Sequence, residues 1–292
     1  MSCRQCRNLD RRSFLGLLGT GLAVTLAGCG SAARVAVPST TGPPSSSGSP
    51  TSRPSTTVPA PTTTAPRPVV RGPIPPPHPG PANVISAGPP EAKTANQIAI
   101  TIDDGYCTEC ATAYVDFAKS SGIHITFSPN GTYSGVWSPL AETLKPLIQA
   151  GQVQIGNHTY THLDMQKLSD SAIGADLERN DEWIQKTFGI TSRPWWRPPY
   201  GYHNARTDAA AGQVGYTNTL LWNGTFGDST LLSAGELLAS AHQYLTPGTI
   251  MLGHANHPTV NTLFPQIQQI IADARLKPVT LDEMFGTSRD AG

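Results

Sequence analysis

Residues 98–106 read Ile-Ala-Ile-Thr-Ile-Asp-Asp-Gly-Tyr, an apolar, β-branched run of strand length that stops on two adjacent carboxylates and a glycine. A buried strand with this ending carries two charges to the rim of a core, where desolvation is costly unless something pairs with them. The plain alternative is a strand running into an ordinary Asp-Gly turn, and the stretch by itself does not choose between the two. Residues further along the chain do.

Downstream, helix-like and strand-like patterns alternate. Helical periodicity covers 111–121, 139–150, 169–189, 204–211, 233–244 and 261–274; strand patterns cover 124–127, 153–155, 217–222, 249–252 and 278–281. Ser169 and Gly189 bracket the longest helix with an N-cap residue and a C-terminal glycine. Trp195-Trp196-Arg197-Pro198-Pro199-Tyr200-Gly201 reads as a rigid loop. Alternation with short connections implies an α/β fold, a mostly parallel sheet wrapped by helices, either open or closed into a barrel. In both forms chemistry gathers at the carboxyl ends of the strands.

The N-terminal third obeys other rules. Arg4, Arg7, Arg11 and Arg12 precede an apolar run at 14–27 that is too short and too glycine-rich for a comfortable membrane span, so 1–29 is expected to be an export leader. Arg11-Arg12-Ser13-Phe14-Leu15 is similar to a twin-arginine signal. Leu26-Ala27-Gly28-Cys29 resembles a lipobox, which makes Cys29 the expected lipidation site and the membrane a partner through that anchor. The alternative is that Cys29 lies in the cleavage region of a soluble secreted protein. Residues 30–93 are dominated by Pro, Ser, Thr, Ala and Gly, with too little apolar area to offset their ordering entropy. They are expected to be a disordered tether, spanning roughly 45 Å as a flexible coil. The catalytic domain is then expected at 94–287, with a tail at 288–292. A formal net charge of zero over 292 residues excludes an electrostatic footprint for nucleic acid. Nothing in the chain signals an oligomeric state.

Of five cysteines, Cys3 and Cys6 fall in the leader and Cys29 at the lipobox, leaving Cys107 and Cys110 just after Asp-Asp-Gly. In an exported protein so close a pair is expected to form a local disulfide. The Cys-x-x-Cys spacing also suits a redox motif, but no thioredoxin-like pattern surrounds it, and one pair is too few for a structural zinc site.

Polar candidates recur at strand ends: Asp103 and Asp104, His158 and His162, Arg197, Asp228, and His254. The two histidines are four apart and stack on one face if 158–162 is a helical turn. Two imidazoles and one carboxylate with a position left open make a zinc-type catalytic shell. At this point the chain resembles the polysaccharide deacetylase family of carbohydrate esterases. Thr101-Ile102-Asp103-Asp104-Gly105 is similar to the family's first motif, Asn157-His158-Thr159-Tyr160-Thr161-His162 to its second, Arg197-Pro198-Pro199-Tyr200-Gly201 to its third, and Met251-Leu252-Gly253-His254 to its fifth. The fourth motif departs from the pattern. Asp228 matches the second carboxylate of Asp-x-x-Asp-Trp, but Thr225 replaces the first and Ser229 the tryptophan that helps to wall the sugar groove, so Trp195, Trp196 or Trp222 would have to stack on sugar rings, unless they are core aromatics.

The resemblance implies a distorted (β/α) barrel and an exported, wall-facing N-deacetylase acting on an N-acetylated glycan, with peptidoglycan favoured. It implies that Asp104, His158 and His162 hold a divalent metal, Zn2+ first and Co2+, Mn2+ or Ni2+ as alternatives. Asp103 would be the base, Arg197 its orienting partner, and His254, oriented by Asp228, the acid. The Tyr200 N–H would stabilise the oxyanion, and Leu252 would help to form a small acetyl pocket. Adjacent Asp side chains on an ideal strand face opposite sides, so the scheme requires irregular backbone at 103–105, which Gly105 permits. Competing readings are an O-acetyl esterase or other amide hydrolase at the same centre, a non-enzymatic wall-binding lipoprotein, and a redox protein built on Cys107 and Cys110.

Overall fold

The computed structural model describes residues 82–287. The leader, the lipobox cysteine, most of the tether and the C-terminal tail expected from the sequence lie outside these residues. In chain order the elements are β1 (Asn83–Ile85), α1 (Pro90–Thr94), β2 (Gln97–Asp104), α2 (Thr108–Ser121), β3 (Ile125–Pro129), α3 (Ser134–Trp137), α4 (Ala141–Gln149) and β4 (Val153–Ile155). They continue with α5 (Asp170–Phe188), β5 (Trp195–Trp196), α6 (Ala205–Gln213), β6 (Asn218–Leu220), β7 (Gly224–Thr225), α7 (Ala234–Tyr244), β8 (Ile250–His254), α8 (Phe264–Asp273), β9 (Lys277–Pro278) and α9 (Leu281–Phe285). Every pairing between these strands is parallel.

β2 is the hub. It pairs with β3 through Thr101–Asp104, with β8 through Ala99–Asp103 and with β9 through Gln97–Ile98, and every residue from Ile98 to Asp104 is buried. A parallel strand covered on both faces wants a continuous apolar run, which this segment supplies until its last two residues. One sheet runs β4-β3-β2-β8-β7 and a second runs β1-β6-β5. The seam between them is an isolated bridge from Asn157, just past β4, to Trp196 in β5. The whole is a distorted barrel with helices outside, an α/β fold.

Three expectations need correction. The folded region does not begin at 94: β1 pairs with β6, and α1 packs Ala92 into a small core with Trp195, Ile250 and Leu281. Their prolines and short apolar stretch look like tether, but an edge strand needs backbone groups rather than a long hydrophobic pattern. Residues 278–281 do not form a full strand either. Only Lys277–Pro278 pair with β2, because Thr280 and Glu283 close a capping box that starts α9. Finally, Trp195 and Trp196 are fully buried, their indole N–H groups donating to Asp282 (2.8 Å) and Thr219 (3.0 Å), so neither is available to a sugar.

Candidate active site

Because the strands run parallel, their carboxyl ends share one rim, and the polar candidates arrive there from β2, β4, β5, β7 and β8. Asp103 and Asp104 end β2 and are 2% and 8% exposed. Asp104 itself adopts a left-handed backbone (φ 64°), followed by Gly105 at φ 101°. This break in the extended chain lets neighbouring carboxylates serve one site, and it starts one residue earlier than the glycine alone suggests. The turn is held from two sides. The Trp137 indole donates to the Asp104 carbonyl (2.7 Å), and the Asn256 side chain accepts from the Gly105 N–H (3.1 Å). Trp137 also explains the glycine: a Cβ at 105 would lie 2.2 Å from the indole nitrogen.

His158 and His162 do not lie on a helical turn. Thr159 and His162 both have positive φ (66° and 56°), and the loop is built from side-chain acceptors. Asn157 accepts from the Thr159 N–H (2.8 Å), Asp176 from those of Tyr160 and Thr161 (2.9 and 3.2 Å), and Thr159 from that of His162 (3.1 Å). Asn130 donates to the His158 and Thr159 carbonyls. Asn157 is a rivet: its backbone bonds Trp195 and Arg197 across the seam, and its amide group bonds Leu177, Tyr216 and Asn180.

The loop presents three donor atoms to one point. Oδ1 of Asp104 lies 3.4 Å from His158 Nε2 and 3.3 Å from His162 Nε2. His158 Nδ1 donates to the Arg197 carbonyl (2.8 Å), which turns its Nε2 toward Asp104. Burial, followed by the neighbouring His158, lowers the His162 pKa to about 4 against the opposing pull of Asp104 and Asp103, which keeps this imidazole neutral. Oδ1 of Asp104 is buried without a hydrogen-bond partner, while Oδ2 accepts from Asn256 (2.8 Å). Lone pairs facing one another in a desolvated pocket call for a cation between them, and a carboxylate with two imidazoles suits a divalent one. Among the described residues, Cys107, Glu109 and Cys110 form the other compact group of such donors, but the two sulfurs are joined in a disulfide.

Asp103 has different company. Its Oδ1 accepts from Arg197 Nη1 (2.8 Å), while Arg197 Nη2 donates to Thr101 (2.8 Å), whose hydroxyl in turn donates to the Met251 carbonyl (2.7 Å). Burial alone would raise the Asp103 pKa, but the Arg197 charge, His158, His254 and the Arg197 hydrogen bond together hold it below the ordinary 3.8. The carboxylate is therefore ionised at neutral pH. Opposite it in the β2–β8 register stands His254, whose Nδ1 bonds Asp228 Oδ1 (2.9 Å) and whose backbone N–H donates to Asp228 Oδ2 (3.1 Å). Burial pulls the His254 pKa down, yet the Asp228 hydrogen bond and charge, with Asp103 and Asp104 behind them, leave it raised above 6.5. One carboxylate is thus held charged beside a histidine that favours its protonated form.

The structure brings together Asp103, Asp104, His158, His162, Arg197, Asp228 and His254. Tyr200 sits against the His162 ring (4.7 Å between centroids) with a left-handed backbone (φ 60°), Leu252 is buried in β8, and Trp222 is half-buried beneath the Arg197 guanidinium (5.8 Å). Sequence reasoning missed Asn256, Trp137, Thr101 and the Asn130–Asn157–Asp176 framework. The signal for Asn256 was a lone amide two residues past His254.

Comparison with known proteins agrees with this architecture. Residues 91–219 match the family model described as polysaccharide deacetylase. A peptidoglycan-N-acetylglucosamine deacetylase of Listeria monocytogenes is 25% identical over 203 residues, covering 70% of this chain and 42% of the relative. The first curated relatives are matched over 48%, 36% and 42% of their length, so the chain spans about half or less of each. Among solved structures, a peptidoglycan N-acetylglucosamine deacetylase superposes with a TM-score of 0.63 at 21% identity, covering 71% of this chain and 95% of that one. A CE4 family pseudoenzyme from Bacillus anthracis superposes with a TM-score of 0.60 at 21% identity, covering 69% and 68%. At these identities the superpositions show the fold.

Proposed function

We propose, from the match of residues 91–219 to the polysaccharide deacetylase family model, that the chain is a metal-dependent hydrolase removing N-acetyl groups from an extracytoplasmic polysaccharide, with peptidoglycan as the favoured substrate. The observation that carries this reading is the orphaned, buried Oδ1 of Asp104 facing two imidazole nitrogens, beside a carboxylate with its own arginine. Asp104, His158 and His162 hold the cation, Zn2+ on the chemistry of the donor set. When bound, it supplies the Lewis acidity that polarises an amide carbonyl and acidifies water.

The remaining work falls to side chains. Asp103, charged and aimed by Arg197, takes the proton from the attacking water. His254, whose protonated form Asp228 favours, gives a proton to the departing amine nitrogen, so the C–N bond breaks to a neutral amine and acetic acid, which then ionises to acetate. The Tyr200 N–H helps to hold the developing oxyanion, and Leu252 bounds the acetyl methyl.

The test is acetate release from N-acetylglucosamine oligomers and from peptidoglycan, with and without chelator. Release abolished by chelator and restored by Zn2+ is the expected result. Protein that binds Zn2+ and releases no acetate from either substrate would belong with the pseudoenzymes instead.

A further inference from the structure

Six large hydrophobic side chains are exposed among the described residues: Val84, Tyr106, Leu163, Tyr200, Tyr202 and Leu231. Four of them crowd one place. Tyr106 lies two residues past Asp104, Leu163 follows His162, Tyr200 packs on the His162 ring, and Tyr202 packs on Tyr200 (5.6 Å). Exposed apolar surface gathered around a polar pocket marks a ligand-contacting rim.

Tyr106 is the best-built part of that rim and has no part in the chemistry. The residue is 48% exposed, and its ring stands edge-on to Tyr133 (5.9 Å) and His257 (6.0 Å), with its hydroxyl 3.3 Å from His257 Nε2. Its backbone is pinned on both sides. Asn256 Oδ1 accepts from the Gly105 and Tyr106 N–H groups, the Cys107 N–H donates to the Ala255 carbonyl, and the next residue enters the Cys107–Cys110 disulfide at the start of α2. An aromatic ring so anchored loses little freedom when it meets a ligand, and its polar edge is already fixed. A pyranose offers the matching surface, an apolar face of C–H groups rimmed by hydroxyls.

We propose that Tyr106, braced by Tyr133 and His257 and anchored by the Cys107–Cys110 cross-link, is a sugar-ring subsite that stacks a neighbouring unit of the glycan strand. This rests on the glycan reading of the site. The cross-link thereby acquires a task that neither a redox nor a metal role gives it: it stiffens the platform.

The test uses the full chain and N-acetylglucosamine oligomers of two and five units. Binding is measured by calorimetry on metal-depleted protein, and kcat/KM for both lengths on Zn2+-loaded protein. Tyr106→Ala is expected to weaken pentamer binding by several-fold to about tenfold and to reduce the pentamer-to-dimer ratio of kcat/KM, while Tyr106→Phe retains most of both. The paired Cys107→Ser, Cys110→Ser variant is expected to weaken pentamer binding in the same direction by a smaller factor. If the parent binds the pentamer and Tyr106→Ala binds it equally well, the subsite is wrong and the deacetylase reading stands. If the parent neither binds nor deacetylates the pentamer, the glycan reading falls and takes the subsite with it.

Discussion

Asp103 and Asp104 show how far two identical, adjacent residues can be driven apart by their surroundings. Asp104 gives one oxygen to an amide and leaves the other facing imidazoles; Asp103 is tied to a guanidinium. On the proposed reading, Asp103→Asn should lower acetate release by about 10²–10⁴-fold with metal content retained. Asp104→Ala should lose the metal, measured by atomic absorption after dialysis. Asn256→Ala, which frees Asp104 Oδ2, should weaken Zn2+ binding by about 10–100-fold in a titration. The pH profile follows from His254. Its acid form is the working one, so rate persists below its pKa and is lost as pH rises through it, and that pKa lies above 6.5. The Asp103 pKa lies below 3.8 and the base stays charged across the neutral range, so it adds no acidic limb there. Expected is an alkaline fall in kcat/KM that His254→Ala abolishes along with most of the rate. At this scale the residues that gather at the rim were mostly legible, because carboxylates, imidazoles and a guanidinium at strand ends are residue types that stand out in a sequence. The supporting residues were harder to see: Trp137 acts through geometry alone and nothing in its local sequence announces it, and Asn256 offered only its place two residues past His254.

Among the elements, long periodic segments were easy to read and short ones were not. α5 begins at Ser169 and ends at Gly189 as its caps dictate, since a capping hydroxyl and a left-handed glycine are local signals. β1 and β9, of three and two residues, are defined by the strands they meet, and no local pattern marks them. The 158–162 loop looked helical from its spacing alone. The Asn157 and Asp176 side chains outcompete that helix by accepting backbone N–H groups. The end of β2 supplies a prediction at this scale. Gly105→Ala drives a Cβ into the Trp137 indole at a φ of 101°, which should cost about 1–3 kcal/mol in denaturant unfolding and disturb the Asp104 carbonyl's bond to that ring.

For the molecule as a whole, the correction at the N-terminal side has practical weight. A chain cut to begin at residue 94 lacks β1 and most of α1 and leaves β6 without its outer partner. It should melt below one that begins at residue 82, by about 2–4 °C for each kcal/mol lost, measured by calorimetry. The fold class was legible because alternation of strand and helix is a whole-chain property; the β4–β5 seam was not, because it is an isolated bridge made by one residue. Asn157 both stitches β4 to β5 and immediately precedes His158. On the proposed reading, ion capture and the β4–β5 seam therefore share one mechanical joint. Chelation should speed hydrogen–deuterium exchange at the Asn157 and Arg197 amides, far from solvent, and tightening the ion's grip should slow it: an architectural seam that doubles as an occupancy gauge.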